Sequence, residues 1–147
     1  MLNAKLFVEN LKYRNEMLTT IKEEITNQTL IIQFCANDPD YFLKAAELVQ
    51  DQCIAVDLNL GCPQHIAKRG NYGSFLQDKW DLVEKMVSTL AKNLKIPITC
   101  KIRVFESIEK TVEYAKMIEK AGASHLTVHG RLRSQKGTVT GFADWSK

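Results

Sequence analysis

Several things are missing from this sequence, and each absence removes a class of protein. None of the four cysteines (Cys35, Cys53, Cys62 and Cys100) pairs with another as CxxC, so no zinc site is expected. No apolar run reaches membrane length and no signal-peptide pattern opens the chain. The expectation is therefore a protein of a reducing, intracellular and cytoplasmic setting, with no membrane partner. No low-complexity stretch or linker splits the chain. No GxGxxG follows the first strand-like run, which weakens a dinucleotide-binding fold. The net charge of +3 is too mild to argue for nucleic acid by itself. Disorder is disfavoured as well: 45% of the 147 residues are hydrophobic, enough for one domain with a real core.

What is present is an alternation. Leu30–Phe34, Ala55–Leu60, Pro97–Val104 and Ser124–His129 read as strands. A first helix starts at Asn37-Asp38-Pro39 and runs to about Gln52, with Phe42, Ala45, Ala46, Leu48 and Val49 inward. A second is capped by Asp78 and carries the stripe Leu82, Val83, Met86, Val87, Leu90 and Leu94. A third is capped by Ser107, turns Val112, Ala115, Ile118 and Ala121 inward, and stops at Gly122. Met1–Thr20 reads as a loop or short helix with no strand at its start, Ile21–Gln28 as a polar surface linker, and Ser134–Lys147 as a polar tail.

Such alternation is that of parallel βα units. Polar residues fall at the carboxyl end of every strand: Gln33, Asn59 with Cys62, Lys101 with Arg103, and His129 with Arg131. An open doubly wound sheet binds mainly at one switch point, whereas a βα barrel uses all its strand ends. Four contributing strands favour the barrel. A complete barrel takes about 250 residues, so the fold class expected is α/β, a partial TIM (β/α)8 barrel, a fragment lacking the first and last barrel strands.

The chemistry concentrates between Ala55 and Leu76. An apolar strand ends in Gly61-Cys62-Pro63, and a basic, glycine-punctuated loop follows. This holds one thiol at the mouth of a strand beside the Asn59 amide. Pro63 biases Cys62 toward extended backbone, and Gly70 and Gly73 let the loop turn. Gln33 interrupts a buried strand and needs partners, either neighbouring backbone or a ligand. Lys101 and Arg103 stand two apart and share one face, which is costly unless they meet an anion or other acceptors. Lys68, Arg69, Arg131, Arg133 and Lys136 lie on loops after strands, where they could meet phosphates.

Five ordered blocks carry a resemblance: QFCANDP at Gln33–Pro39, DLNLGCPQ at Asp57–Gln64, IAKRGNYGSFL at Ile66–Leu76, CKIRV at Cys100–Val104 and TVHGRLR at Thr127–Arg133. Together they resemble the tRNA-dihydrouridine synthases, most of all the eukaryotic group acting at positions 16 and 17. The resemblance implies a flavin-binding βα barrel of which residues 1–147 are the central part. It also implies a helical tRNA-binding domain that this stretch does not include. The chain would begin near the end of the second barrel strand and end after the sixth.

The implied reaction is reduction of the uracil C5–C6 double bond in tRNA, with FMN as cofactor and NADPH as reductant. Cys62 matches the acid that protonates C5, and an unperturbed thiol with a pKa of about 8.5 is protonated near neutrality. Gln33, Lys101 and His129 match flavin contacts, and Asn59 and Arg103 match residues that hold the target uracil. Lys68, Arg69, Arg131 and Arg133 would touch tRNA phosphates. The base would have to leave its stack to reach a flavin inside a barrel. The sequence departs from the usual pattern at Ser74, where alanine is common, and at Leu132, where threonine is. Two alternatives remain at this level: another flavin barrel of the dihydroorotate dehydrogenase kind, and a non-catalytic truncated product.

Overall fold

Apolar runs bounded by polar residues become the strands of one parallel sheet. The computed structural model describes residues 1–24, 30–138 and 140–146. Its elements run β1 (Leu2–Asn3), α1 (Ala4–Glu9), α2 (Leu11–Glu24), β2 (Ile31–Cys35), α3 (Pro39–Glu47), β3 (Ala55–Leu60), α4 (His65–Gly70), a 3-10 turn (Gly73–Leu76), α5 (Trp80–Asn93), β4 (Ile98–Arg103), α6 (Ile108–Lys120) and β5 (His125–His129). The strand order is β1-β2-β3-β4-β5 and every pairing is parallel. The order never reverses, so there is no switch point. Right-handed crossovers in a monotonic order place the connecting helices α3, α5 and α6 on one face. This is the arrangement of consecutive βα units in a barrel, and the chain is part of a (β/α)8 barrel.

The two faces of the sheet differ in chemistry because side chains alternate. Ile32, Phe34, Val56, Leu58, Leu60, Ile98, Cys100 and Ile102 point to the helices and form the core with Phe7, Phe42, Val83, Met86, Val87, Leu90 and Ile118. Gln33, Asp57, Asn59, Thr99, Lys101 and Arg103 take the opposite positions, as do Thr127 and His129 on β5. This second face is the barrel interior. Desolvation among the apolar helices pushes the Cys100 thiol far above the ordinary range, so it is an inert core residue.

Several local readings need correction. The chain does open with a strand, the two-residue β1, which pairs Leu2 with Phe34 and Asn3 with Cys35. Met1–Thr20 is otherwise helical: Asn3 caps α1 by accepting from the Leu6 N–H, and α2 continues through Glu24. The linker expected from Ile21 therefore starts as helix, with Ile21 itself buried; residues 25–28 lie outside the described residues, as do 139 and 147 of the tail. Helix α3 ends at Glu47, short of Gln52, and Leu48 beyond it is 44% exposed.

Asp78 does not cap α5. Lys79 holds the N-cap position without a side-chain bond, and Asp78 pairs with Arg133 instead. The inward stripe of α6 is Thr111, Tyr114, Ile118 and Ala121; Val112 is 43% exposed and Ala115 half-buried. Tyr114 goes inside because its ring packs against Trp80 and Phe105.

Candidate active site

Strand β3 builds the centre of the site. Its outward-facing residues are buried among helices, so Asp57 and Asn59 must face the barrel interior. There a closed hydrogen-bond chain forms. Thr99 Oγ1 donates to Asp57 Oδ1 at 2.6 Å, and Gln33 Nε2 donates to Asp57 Oδ2 at 2.7 Å. Asn59 Nδ2 donates to Gln33 Oε1 at 2.9 Å. Asn59 Oδ1 then accepts from the backbone N–H of Gly61 at 3.1 Å and of Cys62 at 2.9 Å. Gln33 is thus satisfied by side chains rather than by neighbouring backbone.

The Cys62 turn is held from below as well. Its carbonyl accepts from both the Ser74 N–H and Ser74 Oγ, each at 3.0 Å. The Ser74 hydroxyl thus adds a second donor to one carbonyl. Gly73 makes the approach possible: its φ is +65°, and a Cβ there would stand 2.7 Å from the Cys62 carbonyl oxygen. Gly70 does not supply the turn after α4; Asn71 does, at φ 52°. Cys62 is half-buried and packs beside Cys35, Ala67, Tyr72 and Phe75. Cys35 is different in kind: burial pushes its thiol up to about 11, which keeps it neutral and inert.

Arg103 joins this turn to the segment after β5. Its Nε donates to the Gly61 carbonyl at 2.7 Å, and Nη1 donates to the carbonyls of Leu132 and Gln135, both at 2.9 Å. Burial, and then Arg131, lower its pKa from the ordinary arginine value; it stays a cation, since guanidinium is not deprotonated in proteins. Gln135, which the sequence reading passed over, braces this segment by accepting the Leu132 N–H with Oε1 and donating to the Thr140 carbonyl with Nε2.

Beside this satisfied network lies an unsatisfied one. Lys101 pairs in register with Asn59 and Thr127, is half-buried, and its side chain makes no hydrogen bond or ion pair among the described residues. His129 pairs with Arg103. Its pKa is lowered, first by burial and then by Arg103, Lys101 and Arg131. Arg131 Nε is buried without a partner among the described residues. Three cations and a histidine disfavouring its own charge make a site complementary to an anion. Among the described residues no cluster of three or more metal-ligating side chains occurs, and no helix is long and apolar enough to cross a membrane.

The structure therefore brings Gln33, Asn59, Cys62, Lys101, Arg103 and His129 to one face. The outer basic residues divide. Lys68 and Arg69 are exposed, on α4 rather than on a loop, and Lys136 is exposed too. Arg133 is held by Asp78 Oδ2 at 2.5 Å and lies over the Phe75 ring. Arg131 belongs with the inner cations. Asp57 and Thr99 were missed by sequence reading, and Ser74 was noted only as a departure from the usual pattern, without its bond to the Cys62 carbonyl; the available signal was Asp57, a charge two residues before Asn59 in an otherwise apolar strand.

Comparison with known proteins supplies the family. The dihydrouridine synthase family model matches residues 1–147. The tRNA-dihydrouridine(16/17) synthase of Saccharomyces cerevisiae, whose name carries NAD(P)(+), is 57% identical over 145 residues, 99% of this chain and 34% of that protein. A tRNA-dihydrouridine(16/17) synthase-like protein of Mus musculus is 56% identical over 99% of this chain and 30% of its own length. A human tRNA-dihydrouridine(20a/20b) synthase-like protein is 34% identical over 92% of this chain and 43% of its length. The chain spans about a third of the length of the (16/17) relatives it matches.

Proposed function

From the premise that the chain belongs to the dihydrouridine synthase family, we propose that it is the central barrel portion of an enzyme reducing uridine to 5,6-dihydrouridine in tRNA. We assign it FMN as cofactor, NADPH as reductant and an intracellular, cytoplasmic setting. The (16/17) specificity is supported by 57% identity to the yeast (16/17) enzyme against 34% to the human (20a/20b) relative.

The inner residues fit a flavin. Lys101 carries an unpaired charge beside the Asn59 strand, as a group stabilising an anionic ring edge would. Arg131 Nε is an orphaned buried donor that an acceptor of the cofactor or substrate would satisfy. Gln33, Lys101 and His129 would hold the ring system, the histidine as a neutral imidazole. When bound, FMN supplies hydride to uracil C6. Cys62 gives its thiol proton to C5, which completes saturation of the double bond and leaves a thiolate that solvent reprotonates. Asn59 has one Nδ2 hydrogen left to offer the base, since its oxygen is taken by two peptide N–H groups. Arg103 would offer the remainder of its fork while holding both loops in place. Lys68 and Arg69 at the exposed rim would meet tRNA phosphates.

One observation carries the reading. The Cys62 turn is tied by side-chain hydrogen bonds to β2, β3 and β4, and beside it β4 presents a lysine without a partner among the described residues and β5 a histidine that disfavours its own charge. The test is a chimera in which residues 1–147 replace the matching third of the yeast relative, expressed in yeast lacking that enzyme. Dihydrouridine in tRNA, measured by mass spectrometry, should return. Cys62→Ala should cut the reduction rate about a hundredfold or more, the range of a general acid. A chimera that folds and holds flavin yet leaves tRNA unmodified would refute the reading.

A further inference from the structure

We propose that Asp57 is a positioning residue that holds the Cys62 turn through Gln33 and Asn59. The proposal rests on the reading of Cys62 as the proton donor. Asp57 is 7% exposed, lies on the interior face below the strand ends, and has no assigned part in the chemistry. A carboxylate can only accept hydrogen bonds. Its two oxygens take Thr99 Oγ1 and Gln33 Nε2. With Nε2 turned to Asp57, Gln33 presents Oε1 to Asn59 Nδ2. With Nδ2 engaged there, Asn59 presents Oδ1 to the N–H groups of Gly61 and Cys62.

An amide is nearly the same shape either way round, so packing does not choose its direction; hydrogen bonds do. Reversal of Gln33 would set its oxygen against the carboxylate and its NH₂ against the NH₂ of Asn59. The chain therefore runs in one sense, from an obligate acceptor on β3 to two obligate donors in the Cys62 turn. It crosses to β2 and back, so the turn is referenced to two strands rather than one.

Two substitutions separate position from mere stability. Asp57→Ala removes the acceptor and leaves Gln33 held by one bond. Asp57→Asn preserves the chain, because the Thr99 hydroxyl can turn and accept from the new NH₂ while the amide oxygen still faces Gln33. Asp57→Leu keeps the bulk of the side chain but offers Gln33 no acceptor. In the yeast chimera, tRNA lacking dihydrouridine is mixed anaerobically with reduced enzyme, and flavin reoxidation is followed by absorbance. Flavin reduction by NADPH is followed separately, and carbamidomethylation of Cys62 by iodoacetamide is timed by mass spectrometry.

We expect tRNA-dependent reoxidation to fall roughly 10- to 100-fold in Asp57→Ala, the scale of a small misplacement of a reacting group. NADPH-driven reduction should hold within about twofold, since that half-reaction does not use the thiol. Cys62 labelling should quicken as the turn loosens. Asp57→Asn should restore most of the rate, and Asp57→Leu should lose it as Asp57→Ala does.

Equal losses in both half-reactions would overturn the proposal, as would an unchanged Asp57→Ala, or an Asp57→Leu no slower than Asp57→Asn. If Asp57→Ala does not fold, the comparison of Asp57→Asn with Asp57→Leu decides. A parent chimera that never reduces tRNA defeats the functional reading alone. Cys62 labelling still tests the positioning in that case, and unchanged labelling across the variants would defeat it.

Discussion

Alanine at Gly73 should dislodge the Cys62 turn, and the cost can be worked from the geometry. Gly73 has φ +65°, where a side chain costs about 1–2 kcal/mol. The loss of unfolded-state freedom returns roughly 0.4–1 kcal/mol. Contact adds more than strain. The new Cβ would lie 2.7 Å from the Cys62 carbonyl oxygen, 3.0 Å from Cys62 Cβ and 3.2 Å from Cys62 N. Two of these three atoms are backbone, so a side-chain rotation cannot relieve the overlap. The carbonyl must move, and it is the acceptor of both Ser74 bonds, each worth about 1 kcal/mol net.

The total is a destabilisation of about 2–4 kcal/mol, or a Tm lowered by roughly 5–15 °C for a chain of this size. Gly137 supplies the control. Its φ is +62°, but a Cβ there would meet nothing within 4 Å. Gly137→Ala therefore carries the backbone strain without the contact and should cost about 1 kcal/mol or less. Urea unfolding followed by circular dichroism compares the two. Equal, small effects at both positions would refute the account of Gly73 as the residue that lets the turn close under Cys62.

Two further outcomes are expected. Tyr114→Phe should stabilise the fold by about 1 kcal/mol, because the hydroxyl is buried near Trp80 and Phe105 with no hydrogen-bond partner among the described residues; a loss of stability in urea would show a partner. In an NMR titration His129 should take up its proton below the ordinary histidine value of about 6.5. Between those two values the unfolded chain binds a proton that the folded chain does not, so this contribution lowers stability as pH drops through the ordinary value and levels off below the folded one. An anion seated among Lys101, Arg103 and Arg131 should move the titration back up, and a midpoint unmoved by inorganic phosphate or FMN would contradict the shared-cation account.

The strands were legible because each is an apolar run bounded by polar residues, with β2, β3 and β4 buried on their helix face, so Ile31–Cys35, Ala55–Leu60, Ile98–Arg103 and His125–His129 fall within two residues of the sequence expectation. The alternation of apolar and polar residues within them also revealed which side chains share the interior. Helix faces were harder. On α6 two stripes share the same spacing, Val112-Ala115 and Thr111-Tyr114, and hydrophobicity alone favours the wrong one. Aromatic packing reverses the choice, and no sequence period encodes which neighbours will be aromatic. Asp78 looked like a cap by residue type, yet its carboxylate is drawn to Arg133, 55 positions away. Long-range partners of this kind also hid the role of Asp57, whose meaning depends on Thr99 and Gln33 coming from two other strands.

The site divides by satisfaction rather than by polarity. Gln33, Asp57, Asn59 and Thr99 meet one another's donors and acceptors, so they can be buried without a ligand and still cost little. Lys101 and Arg131 do not, and cationic groups without a partner among the described residues favour an anion beside them. Had all six been unsatisfied, β3 could not have kept its place in the sheet; had all been satisfied, nothing would be left to attract a ligand. The closed half fixes where the Cys62 turn stands, and the open half sets what charge is welcome beside it. A change in the closed half should therefore act on geometry and be insensitive to salt. A change in the open half should act on binding and weaken as ionic strength rises, because those charges are only partly sheltered.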